Sequence, residues 1–226
     1  MRENIVILSG SGLSAESGLP TFRDAAGLWR RHSWQDLASP EGWRANPALV
    51  LEFYNERRAK AWSAQPNAAH LAIGALERKY EVVVITQNVD ALHERAGSTN
   101  VLHVHGELSF ARGTGPSRRR YRIDGAPIEP GQLCEEGTQL RPDIVWFGEE
   151  TQFMSEACEH VAAADKVLVV GTSLSVYPAA SLVDVARADA DKVLNCLEMD
   201  DVPRGFVLHP GPATRVLPRI IEGWLT

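Results

Sequence analysis

Short apolar runs that end in glycine or in a hydrogen-bonding residue narrow the fold more than any other feature of this chain. They are "NIVILSG" (4–10), "EVVVITQN" (81–88), "NVLHVHG" (100–106), "DIVWFGE" (143–149), "KVLVVGTS" (166–173) and "KVLNCLEM" (192–199). Runs of this length without alternation suit strands buried on both faces, hence a parallel sheet covered by helices. Helical spacing lies between them, in "FMSEACEHVAAAD" (153–165) and "AASLVDVARADA" (179–190), and "RVLPRIIEGWL" (215–225) closes the chain as a helix. The order strand, helix, strand predicts an α/β fold, a doubly wound parallel sheet.

Two segments break that rhythm. Residues 29–74 show no strand pattern and hold "PALVLEFYNERRAKAW", which reads as helix. Residues 108–141 are rich in Gly, Pro and Arg. Both are expected to be insertions that build a smaller lobe (29–74 and 108–141) on a main domain of 1–28, 75–107 and 142–226.

The formal net charge of −6 excludes a global basic field for nucleic acid. "SRRRYR" (117–122) is locally basic, either a solvated hairpin or a surface for an acidic partner. No apolar run is long enough for a membrane span, and the first strand begins too early for a leader, so a cytoplasmic protein is expected. Cys134, Cys158 and Cys196 form no CxxC pair, and neither a disulfide framework nor a zinc site follows from them.

Ligands of open parallel sheets bind beyond the carboxyl ends of the strands. In this chain those ends read Gly10, Ser11, Gly12 and Ser14; Thr86, Gln87, Asn88 and Asp90; His105-Gly106; Phe147, Gly148 and Glu149; and Gly171, Thr172 and Ser173. Gly10 and Gly12 permit positive φ and a close backbone approach to a phosphate, with a helix N-terminus behind. A second glycine turn at Gly171 suits the other half of a dinucleotide. Gln87, Asn88 and Asp90 suit ribose hydroxyls or a carboxamide, although a turn and a helix cap would also use them. His105 titrates near neutrality and is either a general base or a structural histidine; His103 reads as packing.

Taken in order, "GSGLSAESGLPTFRD", "TQNVDALHERAG", "HVHGEL", "RPDIVWFGE" and "GTSLSVYPAA" resemble the motif set of the sirtuins, NAD-dependent protein-lysine deacylases. The resemblance covers nearly the whole chain. It implies a Rossmann-like domain with NAD and acyl-lysine meeting in the cleft beside the small lobe. The Gly10-Ser11-Gly12 turn would hold the pyrophosphate. Ala15, Pro20, Thr21, Phe22 and Arg23 would belong to a mobile cofactor loop, with Phe22 over the reacting ribose carbon and Arg23 at the phosphates or the reacting center. Gln87, Asn88 and Asp90 would line the ribose and nicotinamide pocket. Gly171, Thr172 and Ser173 would take the adenosine half, with Asn195, Glu198 and Ala213 nearby. His105 would be the catalytic base, with Asn88 and Asp90 beside it in the catalytic set. The implied chemistry transfers the acyl group to ADP-ribose as nicotinamide leaves, so water must be kept out. An acylated peptide would lie as a strand between Val145–Glu149 (Val145, Trp146, Phe147, Gly148, Glu149) and Ser175–Tyr177 (with Val176 and Tyr177), paired through the backbone.

Tyr54 and Arg57 in "EFYNERR" are spaced i, i+3 and share one helical face. Arg57 can grip a carboxylate bidentately while Tyr54 donates a hydroxyl, a pair that resembles the class removing succinyl, malonyl and glutaryl groups, so desuccinylation or demalonylation is expected, with deacetylation as a further activity. An ordinary amphipathic helix would use the same residues. Two departures stand out. Sirtuins usually carry two CxxC zinc pairs, whereas 108–141 holds only Cys134, so no zinc is expected. The other is Cys196 where the family usually has Asn, with Asn195 one place earlier and, on a strand, on the opposite face. The same residues would also serve an NAD hydrolase or ADP-ribosyltransferase, and an idle NAD-sensing module would need only the binding set. The sequence leaves the oligomeric state open.

Overall fold

The computed structural model describes residues 2–21 and 33–226. In chain order the elements are β1 (Asn4–Ser9), α1 (Ser11–Ala15), α2 (Trp34–Leu37), α3 (Pro40–Ala45), α4 (Pro47–Ser63), α5 (Ala68–Ala75), β2 (Glu81–Thr86), α6 (Leu92–Arg95), β3 (Val101–His103), β4 (Gly106–Gly113), β5 (Arg120–Arg122), β6 (Leu140–Ile144), α7 (Met154–Ala163), β7 (Lys166–Val170), β8 (Asp191–Cys196), β9 (Val207–Pro210) and α8 (Ala213–Leu225).

Six strands form one sheet in the order β3-β2-β1-β7-β8-β9, and each adjacent pair is parallel. The order reverses between β1 and β7, the switch point where such sheets open a crevice. Alternate β1 side chains serve opposite faces. Ile5 and Ile7 pack with Ile73 of α5 and Leu217 and Ile221 of α8. Val6 and Leu8 pack with Ala157 and Val161 of α7 and with Leu182. Each such side chain, fully buried, contributes about 1.5–3 kcal/mol. The sheet core therefore holds all the strand tips on one rigid edge.

A second sheet, β5-β4-β6, is antiparallel. It corrects the reading of 143–149 as a strand of the parallel sheet: Asp143 and Ile144 end β6 beside Gly106 and Glu107 of β4, and 145–149 is irregular. Within the apolar run 144–147, Ile144 and Trp146 are buried in the lobe core, whereas Phe147 is exposed. β4 was hidden because its alternation is broken by a bulge between Glu107 and Ala111. β9 is an edge strand with Val207 exposed, so it carries no continuous apolar signature. The helix expected over 179–190 is a 3-10 segment, Ala179–Val185.

The small sheet is fastened to α4 by Leu51, Ala111, Ile128 and Leu140. Ion pairs link β4, β5 and β6: Arg120 reaches Asp143 at 2.5 Å and also Glu107, and Arg112 reaches Glu149 at 3.0 Å. Helix α4 starts cleanly because Pro47 follows a capping Asn46, whose Oδ1 accepts from Leu49 N–H at 3.1 Å.

Candidate active site

A cavity of about 330 Å³ opens between the strand tips and the small lobe, a size suited to a small-molecule ligand. Six segments converge on it. The β1 tip supplies Ser11 and Ser14, the segment after β2 supplies Gln87, Asn88 and Asp90, and the turn after β3 supplies His105. From the lobe side come Tyr54 and Arg57 of α4 and the whole of Val145–Glu149, and from the loop after β7 come Val176 and Tyr177.

His105 is half-buried, and its Nδ1 lies 3.3 Å from the carbonyl of Gln87. A carbonyl only accepts, so Nδ1 carries the proton and Nε2 keeps its lone pair. Burial lowers the imidazole pKa below its usual 6.5, partly opposed by the Gln87 carbonyl. The ring is thus a neutral base at neutral pH. Gly106 follows at φ 80°, and a Cβ there would sit 2.1 Å from the Asp143 carbonyl, so only glycine lets the chain turn from His105 into β4 against β6.

Asn88 is buried; its Nδ2 donates to Ser14 Oγ at 3.0 Å and its Oδ1 has no partner among the described residues. Asp90 is buried and accepts from Leu92 N–H at 3.2 Å. Burial raises its pKa, opposed by the Leu92 and Ser14 hydrogen bonds and by the charge of His103. Gln87 Oε1 accepts from Thr172 Oγ1 at 3.0 Å, which ties the β2 tip to the β7 tip.

At the far wall, Tyr54 is buried and its oxygen accepts from Trp146 Nε1 at 3.1 Å. Burial pushes the phenol pKa up to about 12 despite the positive Arg57, so the hydroxyl keeps its proton. Burial also lowers the Arg57 pKa, opposed by Tyr54 and Asp90. No described acid pairs with Arg57; it only overlies the Phe53 ring at 5.5 Å. Phe53, Tyr54, Arg57 and Ala61 line the cavity with the i, i+1, i+4, i+8 spacing of one helix face, a pattern that could have been read from the sequence beyond the Tyr-Arg pair.

Some expected residues sit elsewhere. Gly10 and Gly12 have no positive φ, and their N–H groups donate to the Val170 and Gly171 carbonyls at 3.0 and 2.8 Å. The turn is glycine-rich because a Cβ on Gly10 or Gly12 would lie 2.8 Å from the Gly171 carbonyl, while Gly171 itself has φ 63°. The two turns clasp each other, and Ser11 is the member that faces the cavity. Ala15, Thr21, Gly171, Thr172, Ser173, Asn195, Glu198 and Ala213 do not line it. Gly171, Thr172 and Ser173 follow β7, Asn195 lies in β8 with Glu198 just beyond it, and Ala213 opens α8, all farther along the same sheet edge. Asn195 is buried and gives its Nδ2 to the His209 and Gly211 carbonyls at 2.7 and 3.1 Å, whereas Cys196 bonds the Glu198 carbonyl. Phe22 and Arg23 lie outside the described residues.

The 145–149 segment differs from a free peptide-pairing edge. Val145 and Phe147 N–H donate to the His105 and Ala38 carbonyls, both at 2.9 Å, and Trp146 N–H donates to the Glu149 carboxylate. That carboxylate also takes Arg141 at 2.7 Å, and Arg141 stacks 3.2 Å from the center of the buried Trp146 ring. Glu149 and Trp146 thus brace the loop. Among the described residues the Gly148, Val176 and Tyr177 N–H groups have no partner.

As for metal ligands, Cys134 Sγ lies 3.2 Å from Thr138 Oγ1 in the small lobe. The one described group of three ligand side chains within 4.8 Å is Glu94, His103 and Glu107, away from Cys134. There His103 Nε2 already meets Glu94, and Glu107 meets Arg120.

This architecture defines a doubly wound nucleotide-binding α/β protein with a lobe inserted over the strand tips. The sequence model of the Sir2 family matches residues 10–178, and the chain belongs to that family. It is 52% identical over 188 residues to an NAD-dependent protein deacylase of Helicobacter pylori strain J99, covering 83% of this chain and 80% of that one. A Vibrio cholerae NAD-dependent protein deacylase is 44% identical over 97% of this chain and 92% of its own. Among solved structures, a Sir2 homolog–NAD complex superposes with a TM-score of 0.87 at 38% identity, covering 100% of this chain and 91% of the other. A Sir2 bound to acetylated peptide gives 0.82 at 28% identity, covering 100% and 95%.

Proposed function

We propose that this protein is an NAD-dependent protein-lysine deacylase acting on acylated proteins or peptides, with a preference for acyl groups that end in a carboxylate. One observation carries the reading: a neutral histidine whose Nε2 keeps its lone pair and an arginine with no acidic partner among the described residues line the same cavity.

The residues fit a dinucleotide. Asn88 offers a buried Oδ1 without a partner among the described residues at the β1/β2 tips, and Asn195 offers another at the β8 tip. In this reading NAD supplies the electrophilic ribose carbon whose bond to nicotinamide breaks. Asn88, Asp90 and Gln87 hold the ribose and carboxamide at the strand tips, and Ser11 faces the phosphates. The residues assigned to the adenosine half, Gly171, Thr172, Ser173, Asn195, Glu198 and Ala213, extend along the edge. His105 Nε2 takes a proton from a ribose hydroxyl, aided by its neutral state. The apolar wall of Leu19, Phe53, Val89 and Leu108 keeps water away. The Gly148, Val176 and Tyr177 N–H groups, without partners among the described residues, would pair with the peptide backbone. Arg57 and Tyr54 receive a succinyl or malonyl carboxylate, a charge-assisted bidentate contact beside a hydroxyl donor.

We further propose that the small lobe needs no zinc, since hydrophobic packing and the Arg120–Asp143 bridge close its sheet. Three unpaired thiols suit a reducing compartment such as the cytoplasm.

The test is purified protein with NAD and a panel of acetyl-, malonyl- and succinyl-lysine peptides, with and without a chelator. The expected outcome is acyl-dependent nicotinamide release, fastest with the acidic acyl groups and indifferent to the chelator. Nicotinamide release that ignores the peptide would favor an NAD hydrolase instead.

A further inference from the structure

His103 was read from sequence as packing, yet both of its ring nitrogens are engaged by acceptors. Nδ1 lies 3.0 Å from the Asn88 carbonyl and Nε2 lies 2.7 Å from Glu94 Oε1, with the ring itself buried. A neutral imidazole has one N–H and cannot donate in both directions. With Glu94 ionised, as its exposed side chain and lowered pKa hold it, the geometry calls for an imidazolium paired with a carboxylate. The carbonyl it grips belongs to Asn88, whose side chain faces the cavity with Oδ1 unpartnered.

We propose that His103, held charged by Glu94, is a positioning residue: it clamps the Asn88 backbone and so sets the Asn88 side chain toward the ligand. The inference rests on the NAD-dependent reading of the cavity.

The surroundings agree. From α6 come Glu94 and the neutral His93; from β4 comes Glu107, itself bonded to Arg120 of β5; from the loop after β2 comes Asp90. Burial works against a charge on His103. The Glu94 hydrogen bond and charge, then Glu107 and the Asn88 carbonyl, more than offset it and hold the ring above 6.5. As pH rises through that raised value the clamp loses one donor, so binding weakens on the alkaline side. His105 behaves oppositely, since it must be neutral to work.

Three variants separate the roles. Glu94→Gln keeps a hydrogen-bond acceptor on an exposed side chain and removes only the charge. His103→Asn keeps an N–H near the Nδ1 position and cannot titrate. His103→Leu removes the clamp. The readouts are ring NMR titration of His103, calorimetric Kd for NAD against pH, and the split between kcat and KM. In His103→Leu the Kd and KM for NAD are expected to rise about tenfold or more, the loss of one hydrogen bond from a charged donor, with kcat less affected. His103→Asn restores binding and abolishes the alkaline limb. Glu94→Gln moves both the ring titration and that limb to lower pH. An unchanged titration in Glu94→Gln, or equal binding by His103→Asn and His103→Leu, would overturn the proposal. Wild-type protein that binds NAD but never deacylates would sink the enzymatic reading alone and leave the clamp standing.

Discussion

On the strand-tip side of the cavity, three successive carbonyls are each engaged by a donor from one segment: Gln87 by the His105 ring, Asn88 by the His103 ring and Val89 by Leu108 N–H at 2.8 Å. On the α4 side the Arg57 guanidinium has no acidic partner among the described residues, and Asp90 acts on it only at a distance. The first side is closed and rigid; the second is incomplete until something anionic arrives. A half-buried cation without an acidic partner among the described residues is costly. Such a residue therefore points to a ligand, whereas the stitched loop points to a geometry that must not move.

Removing the base is expected to have the largest effect. His105→Ala should lower kcat/KM roughly a thousandfold with every acyl peptide, within the usual range for a general base. Because burial holds His105 below 6.5, the acid limb of the wild-type profile should lie below that value, and a pH series of kcat/KM would read it. A limb at or above pH 7 would contradict the buried, neutral ring.

The open side is probed by Arg57→Met. Loss of a bidentate contact to a charged group should depress kcat/KM for succinyl-lysine by about a hundredfold. Acetyl-lysine should change little, since it offers no carboxylate. Parallel steady-state assays decide the matter, and equal loss on both substrates would remove the acyl assignment.

The two sides also differed in how far the sequence disclosed them. β1, β2, β7 and β8 were legible because both faces are buried, so their apolar runs are unbroken. The polar residues at their tips stood out because amides crowd where a buried strand simply stops, although a helix cap accounts for Asp90, which accepts from Leu92 N–H. The Tyr54-Arg57 pair was legible because helical spacing is local. His103 was not, since its partners Glu94 and the Asn88 carbonyl are set by how α6 folds back on β3. The 145–149 segment misled because a loop with one buried Trp146 flanked by partly exposed Val145 and exposed Phe147 has the same composition as a buried strand. The glycine turn was found for the wrong reason: its glycines serve turn-on-turn contact with Gly171 rather than positive φ.

Behind the stitched loop, Ser9 Oγ contacts Thr86 Oγ1 and His93 Nε2, both at 2.8 Å, and His93 packs edge-on to His70 at 5.1 Å. Burial lowers the His70 pKa to about 4 and drives His93 well below 6.5. In the unfolded chain both rings titrate near 6.5, so between that value and about 4 the unfolded state binds more protons. Stability is then full above pH 6.5 and falls as pH drops toward 4. At about 1.36 kcal/mol per unit, His70 alone accounts for roughly 3 kcal/mol. His70→Asn keeps an acceptor for the Asn67 N–H and should flatten part of the slope in urea melts at pH 7 and 4.5. An unchanged slope would place the acid sensitivity elsewhere.

The smallest expected effect tests whether the rigid side depends on side-chain as well as backbone stitches. Thr172 Oγ1 donates to Gln87 Oε1 and accepts from Leu174 N–H at 3.1 Å. Thr172→Val keeps the shape and loses both bonds, while the Gln87 backbone stays fixed by Ser9 and His105. Only the Gln87 amide is released to turn in the cavity. One neutral hydrogen bond contributes about 1 kcal/mol, so KM for NAD should rise by about fivefold with kcat retained. Thr172→Ser, which restores the hydroxyl, should recover it. If Thr172→Val instead matched the loss in His103→Leu, side-chain orientation of Gln87 would matter as much as the backbone clamp. The strand-tip wall would then be rigid only because its side chains bind one another across the β2 and β7 tips.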